Sequence, residues 1–433
     1  MRITYIAAGA AGSYCGACAR DVGLARGLIR GGHDVVLCPL YTPLRLDGPD
    51  PSVRRIFYGG INVYLQQRLR LFRRTPRCLD RLLDRPGLLR LASRFAIRTR
   101  PEELGEMTVS VLRGADGFQG KEVEKLLGFL AEGLRPDVVN LSNSLLSGLA
   151  PAVKERLGAA VVCTLQGEED FVGRLPERHR EQATALVRGY ARHVDLFVAP
   201  YPAYADEMSA FLDVPRERIA VIGPGVDVAS YGVPGERTAG EFRIGFLSRI
   251  TPSKGIDLLC EAFRLLAGEA GGPTAVLAVA GQLSKADAKS WAGLRSRLDA
   301  AGLADRLDYA GEVDFAGKVS FLGRCHAFCV PARAPQRACI AWVEALVAGV
   351  PLVVPDVPGL REIADTTGAA LVVPPDDAAA LAEALGRLRA DAALHARLAR
   401  AARDGAEEHF TLDAMVERTL EAYAQVVPAG GSA

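Results

Sequence analysis

RIGFLSRITPSKGIDLLCEAFRLL, Arg243 to Leu266, contains the unit from which the rest of the chain is built. Arg243–Leu247 is expected as a strand, for Ile244 onward is a short, unbroken apolar run, as a strand covered on both faces has to be. The polar loop Ser248–Gly255 interrupts it. From Ile256 the apolar side chains return at helical spacing, as Ile256, Leu259, Cys260, Phe263 and Leu266. Strand, loop and amphipathic helix in that order make half of a parallel crossover.

The unit recurs in both directions. Downstream, strands are expected at Ala275–Ala280, Leu307–Ala310, Ala327–Val330, Leu352–Val354 and Leu371–Val373, with helices such as Ala286–Leu298 and Ala341–Ala348 between them. Upstream, they are expected at Ile3–Ala8, Val35–Leu40, Val138–Leu141, Val161–Leu165, Leu196–Ala199 and Ile219–Ile222. Helices Asp21–Arg30, Val123–Leu134 and Gln182–His193 intervene. This alternation predicts an α/β protein with doubly wound parallel sheets. A length of 433 residues exceeds one ordinary core and suits two domains. The Gly223-Pro224-Gly225-Val226-Asp227 segment breaks regular structure. It sets a first domain at 1–223, a linker at 224–240, a second domain at 241–410, and a C-terminal helix and tail at 411–433 able to cross back to the first.

Composition narrows the class. The formal net charge is +1, so no global attraction to nucleic acid or membrane follows. No apolar run reaches the roughly 20 residues of a spanning helix, and no secretory leader opens the chain, so a cytoplasmic protein is expected. The 9 cysteines are odd in number and scattered, which fits reduced, buried thiols. One stretch departs from the balance. Gln66–Arg100 holds 11 arginines opposed only by Asp80 and Asp84, with leucines and phenylalanines interleaved. It reads as two basic amphipathic helices broken at Pro76 and Pro86. They would form either a solvated insertion or a surface for an anionic acceptor or the inner face of a membrane.

In doubly wound sheets, ligands bind at the carboxyl ends of the strands. The loop after Leu247 brings Arg249 and Lys254 to that edge. A fork-shaped guanidinium, an ammonium and a helix N-terminus together suit a diphosphate. After Val330, the loop Pro331–Cys339 enters an apolar helix that carries Glu344. A carboxylate there needs hydrogen-bond donors, which ribose hydroxyls would supply; a solvated helix-surface glutamate is the alternative.

The ordered strings GFLSRITPSKGIDLLCEAF, AGQL, GEV, CVPAR, EALVAGVPLVVPDVPGLREI and TGAALVVPPDDAAALAEAL resemble the donor domain of retaining glycosyltransferases of family 4, with the GT-B fold. LARGLIRGGHDVVLCPLYTP and GPGVD extend the resemblance to the first half. The resemblance implies that two Rossmann-like domains face each other across a cleft. It further implies that Arg249 and Lys254 hold the donor diphosphate and stabilise the leaving nucleotide. Glu344 would bind the ribose, Gly311, Glu312 and Val313 would meet the nucleobase, and Gly281, Cys339 and Ile340 would line the donor. A nucleotide-diphosphate sugar is the implied substrate, with no cofactor and no catalytic metal. No aspartate has another aspartate two positions on, which agrees.

Three positions depart from the family pattern. Gln336 stands where the first of two paired glutamates belongs. Cys339 stands near the position of an expected glycine. Gln166, in Thr164-Leu165-Gln166-Gly167-Glu168-Glu169-Asp170, replaces a common histidine. Glu168 and its acidic neighbours are candidates for acceptor contact or for a helix cap. Cys15-Gly16 falls where a Gly-Gly pair usually precedes the first helix, and Arg20 follows as another acceptor-side candidate. Cys15 and Cys18 have redox or zinc spacing, but no second pair completes a site. The expected activity is retaining glycosyl transfer to an unknown acceptor, lipid-linked or anionic. A nucleotide-sugar epimerase and a degenerate nucleotide-sugar-binding protein remain alternatives.

Overall fold

A computed structural model describes residues 1–9, 16–41, 101–232, 238–269 and 272–427, together with positions 53, 57, 63, 65–67, 69 and 72. Cys15 and most of the arginine-rich 66–100 stretch lie outside the described residues. The chain divides into two compact units, one made of Met1–Gly223 with Met415–Ala433, the other of Pro224–Ala414.

The first unit contains β1 (Arg2–Ala7), β2 (Asp34–Pro39), β3 (Val138–Leu141), β4 (Ala160–Thr164), β5 (Leu196–Ala199) and β6 (Ile219–Val221). They form one parallel sheet in the order β2-β1-β3-β4-β5-β6. The second unit contains β7 (Glu241–Leu247), β8 (Thr274–Ala280), β9 (Leu307–Gly311), β10 (Ala327–Phe328), β11 (Leu352–Pro355) and β12 (Ala370–Val373). Its sheet is also parallel, in the order β12-β11-β10-β7-β8-β9. The expected strands are therefore all present, within a residue or two at their ends. They are buried on both faces: every residue of β3, β4, β5 and β11 is buried.

The helices that matter for function are α1 (Gly16–Arg30), α2 (Glu168–Gly173), α3 (Ile256–Ala267), α4 (Phe315–Gly323), α5 (Ile340–Val347), α6 (Leu360–Thr367) and α7 (Leu412–Ala424). Helix α3 lays Ile256, Leu259, Cys260, Phe263 and Leu266 into the core, the stripe read from the sequence. Helix α4 starts where Asp314 accepts a hydrogen bond from the Gly317 N–H at 2.8 Å. Helix α7 begins in the second unit, and from Met415 onward it belongs to the first. Its Tyr423 is fully buried and donates to Asn140 Oδ1 of β3 at 3.1 Å.

Strand order identifies the ligand edge of each sheet. In the second unit the chain starts at β7, runs outward through β8 and β9, then returns to the other side of β7 at β10. The topological switch point falls between β7 and β10, where successive crossovers leave in opposite directions and a crevice opens at the strand ends. In the first unit the switch falls between β1 and β3.

Candidate functional site

The loops after β7 and β10 meet at the switch point of the second unit. Lys254 Nζ donates to Gln336 Oε1 at 2.5 Å, joining residues 82 positions apart. The ammonium also lies 5.8 Å from the centre of the Trp342 ring. The Gln336 amide is fully engaged, since Nε2 donates to the carbonyl oxygens of Ala334 (2.5 Å) and Pro335 (3.3 Å). A glutamate here would bring a second acceptor oxygen against those carbonyls; the amide instead donates to them.

Two glycines let these loops close. Gly255 has φ 74°, and a Cβ on it would strike the Pro331 carbonyl. Gly281 has φ 137°, and a Cβ there would strike the Ser248 carbonyl; its N–H donates to Gly311 O at 2.7 Å. Arg333 pins the loops further. Its guanidinium donates to Asp257 at 2.8 and 2.9 Å and to Asp376 at 2.6 Å, and Nη1 also reaches the Pro252 carbonyl. Burial works against the Asp257 charge, but the Arg333 hydrogen bonds and charge hold its carboxyl below the usual range.

Glu344 sits on α5 and is only 4 % exposed. Lys318 Nζ of α4 donates to its Oε1 at 2.5 Å, and the Tyr231 hydroxyl donates to the same oxygen at 2.8 Å. No protein donor among the described residues reaches Oε2. Neither donor is signalled by the residues around Glu344 in the chain, since Lys318 lies 26 and Tyr231 113 positions away. A signal for Lys318 existed: it interrupts the apolar stripe Phe315, Phe321, Leu322 at a core-facing position.

Cys339 caps the N-terminus of α5 with φ 51°, the left-handed region that favours glycine. The backbone shape expected of a glycine persists although the residue has changed. The thiol donates to Gln336 O at 3.2 Å, and burial pushes it up to about 12. Replacing Cys339 by glycine is expected to remove the strain and stabilise the unit by about 1 kcal/mol. Urea denaturation would show this as a higher midpoint with an unchanged slope.

Ile340 is buried beside Cys339. Val313 packs against the core, while Glu312 is exposed one residue before it. Arg249 is exposed on the β7 loop, and no hydrogen bond or ion pair holds its guanidinium among the described residues. The structure thus brings Lys254, Gln336, Trp342 and Cys339 together, with Glu344 further along the same helix. It leaves Arg249 at the rim.

The first unit gathers a polar network at the carboxyl end of its sheet. The Tyr5 hydroxyl of β1 donates to Asp21 Oδ1 of α1 at 2.7 Å. Gln166 Nε2 donates to the same carboxylate at 3.1 and 3.3 Å. Asn140 Nδ2 donates to Thr164 Oγ1 at 3.1 Å. Arg20 is 4 % exposed, and Gly16 and Cys18 are half-buried on the first turn of α1. Among the described cysteines none is in a disulfide, and all but Cys18 are buried.

Glu168 requires a correction. Its carboxylate does not face outward to meet an acceptor. The backbone N–H groups of Ser144 and Gln166 each donate to it at 2.7 Å, and it is 4 % exposed. Burial raises the Glu168 carboxyl above its ordinary range, and those two amides oppose the rise. It is a clamp between the loops after β3 and β4. Glu169 is engaged too, accepting from the Tyr204 hydroxyl at 2.6 Å. No group of three or more His, Cys, Asp or Glu able to hold a metal ion occurs among the described residues. No described helix is long and apolar enough to cross a membrane.

Known proteins match this arrangement. The model of the glycosyl transferases group 1 family matches residues 235–405, and that of the glycosyl transferase 4-like domain matches 18–225. A 2-deoxystreptamine N-acetyl-D-glucosaminyltransferase of Streptomyces fradiae is 28 % identical over 377 residues, covering 81 % of this chain and 85 % of that one. A D-inositol 3-phosphate glycosyltransferase of Streptomyces avermitilis is 27 % identical over 246 residues, covering 54 % of this chain and 53 % of the relative. Among solved structures, Anabaena HepE in complex with UDP superposes with TM-score 0.68 at 16 % identity, over 98 % of this chain and 100 % of that one. Sucrose-phosphate synthase from Thermosynechococcus elongatus gives TM-score 0.70 at 17 % identity, over 99 % of each chain. At such identities the structural likeness is one of fold. Two parallel, doubly wound units with the GT-B architecture, matched in turn by the two family models, define the class as glycosyltransferase. This chain belongs to the glycosyltransferases of the family 4 type.

Proposed function

We propose that this glycosyltransferase moves a sugar from a nucleoside-diphosphate sugar, bound by the second unit, to an acceptor bound by the first. The anomeric configuration is retained and no catalytic metal takes part. The observation that carries the reading is the 2.5 Å contact between Lys254 and Gln336. It brings a cation, the entrance of α5 and the Glu344 helix to one switch point, where a ligand is expected. Lys254, with Arg249 at the rim, would take the diphosphate and stabilise the charge that develops as it leaves. The open Oε2 of Glu344 would accept from the ribose hydroxyls, its other oxygen being fixed by Lys318 and Tyr231. Gly281, Gly311, Glu312, Val313, Cys339 and Ile340 complete the donor side.

The uracil nucleotide is the first donor to test, because proteins of the same fold are in complex with UDP and with UDP-glucose. The acceptors named for two relatives are 2-deoxystreptamine and D-inositol 3-phosphate. The arginine-rich 66–100 segment favours an anionic or lipid-linked acceptor and peripheral contact with the cytoplasmic face of a membrane. Gln336, with its amide spent on protein groups, favours one second reading, a nucleotide-sugar-binding protein without turnover.

A thermal-shift screen of uridine, guanosine and adenosine diphosphate sugars, followed by product analysis with candidate acceptors, tests both. One nucleotide is expected to raise Tm by several degrees, about what ligand at a hundred times its Kd provides. No shift with any nucleotide would remove the donor assignment. A shift with no product on any acceptor would favour the binding protein.

A further inference from the structure

Arg20 stands out among the described charged residues of the first unit. It is 4 % exposed, its Nε is buried without a partner, and no hydrogen bond or ion pair reaches its guanidinium among the described residues. The neighbouring carboxylate does not serve it. Asp21 accepts from Tyr5 and Gln166 instead. Arg20 adjoins Asp21, whose carboxylate takes the Tyr5 hydroxyl of β1, so it belongs to the β1 side of the β1–β3 switch point. The Tyr5 and Tyr423 hydroxyl protons are already given to Asp21 and Asn140. An arginine buried to this extent with its Nε unspent is costly, and a structural arginine at such a depth is normally paired.

Arg20 lies in the second turn of α1, and helical side chains lean toward the helix N-terminus. The first turn of α1 holds no acid. The positive end of its dipole favours the same kind of ligand as the guanidinium does. The fork of a guanidinium matches two oxygens on one centre.

We propose that Arg20 binds a compact oxyanion, a phosphate monoester or a carboxylate, carried by the acceptor of this glycosyltransferase. The proposal rests on reading the first unit as the acceptor side. It narrows the acceptor to an acidic molecule and gives Arg20 a binding role that its packing does not explain.

The test uses the full chain saturated with UDP, so that the donor diphosphate site is filled. Inorganic phosphate and acetate are titrated separately into wild type, Arg20→Met and Arg20→Lys, with Tm as the readout. Phosphate, acetate or both should stabilise the wild type, and the more effective one names the source of the oxyanion. Arg20→Met should weaken the response about tenfold or more, the share of a charge-assisted hydrogen bond, and Arg20→Lys should weaken it less. Without added anion, Arg20→Met should melt at or above the wild-type temperature, because an unpaired buried charge has been removed.

The proposal is overturned by equal anion responses in wild type and Arg20→Met, or by no response in the wild type. It is also overturned by loss of the wild-type response once UDP is bound, which would return the anion to the donor site. An Arg20→Met protein that melts several degrees lower while Arg20→Lys does not would make the residue structural and refute the role. If UDP itself fails to bind, the donor reading falls, and the Arg20 comparison proceeds without UDP.

Discussion

Lys318→Met is expected to cost about 3–5 kcal/mol of stability, the toll of leaving one partner of a buried ion pair alone. Lys318 and Glu344 side chains are 8 % and 5 % exposed, and the pair is 2.5 Å apart. Removing the ammonium strands a carboxylate that retains only the Tyr231 hydroxyl. The double variant Lys318→Met, Glu344→Gln should recover most of the loss, since the remaining amide is neutral and can accept from Tyr231. It should still bind nucleotide poorly, because the carboxylate proposed to meet the ribose is gone. Urea denaturation of the three proteins, beside nucleotide titration, separates the two effects. Equal stability of wild type and Lys318→Met would show that the pair contributes nothing net, and would leave Glu344 without the support assigned to it.

Lys254→Ala is expected to lower kcat by roughly 10²–10³, the scale seen when one preorganised donor to developing charge is removed. The fold should survive, because Lys254 is only half-buried and Gln336 keeps its two backbone contacts. Lys254→Arg should recover little. The contact with Gln336 Oε1 and the place over Trp342 suit a compact ammonium on a flexible stem, and a planar fork has a different reach. Arg249→Ala should be milder in binding than Lys254→Ala, as expected for an exposed cation at the rim. Wild-type turnover in Lys254→Ala, measured with any active donor and acceptor pair, would sink the diphosphate assignment.

Much of the architecture was legible in the sequence because its physical cause is local. Apolar runs such as Val138–Leu141 and Leu196–Ala199 gave strands with the expected bounds, since a parallel strand buried on both faces needs no pairing information to be seen. The expected strand Ala327–Val330 proved only Ala327–Phe328 long, as the chain turns toward Pro331. What depends on two distant segments was not legible. Lys318 and Glu344 each look like an isolated charge on an apolar helix, and only the tertiary fold makes them a pair. Arg333 and Asp257 are 76 residues apart and carry no mutual signal. Glu168 looked like one acid of an exposed cluster. Its burial follows from the convergence of the loops after β3 and β4, which gives it two amides to hold. Arg20 was placed near the acceptor by its position after β1, but its isolation at depth is a property of the three-dimensional packing alone.

The return of α7 to the first unit has an architectural consequence. Residues Pro224–Ala414 are, in effect, a guest inserted into a host fold whose own chain resumes at Met415. The guest enters and leaves at adjacent points, for Val226 donates to Phe410 O at 2.9 Å and Leu412 donates to Val226 O at 2.8 Å. Neighbouring ends are what allow one domain to be spliced into another without disturbing either. The host, by contrast, is built from segments on both sides of the guest: Tyr423 is fastened to Asn140 in the middle of its sheet. The second unit is thus a single cassette for exchange between relatives, and the first unit cannot form its Tyr423–Asn140 contact until the chain beyond that cassette has been made.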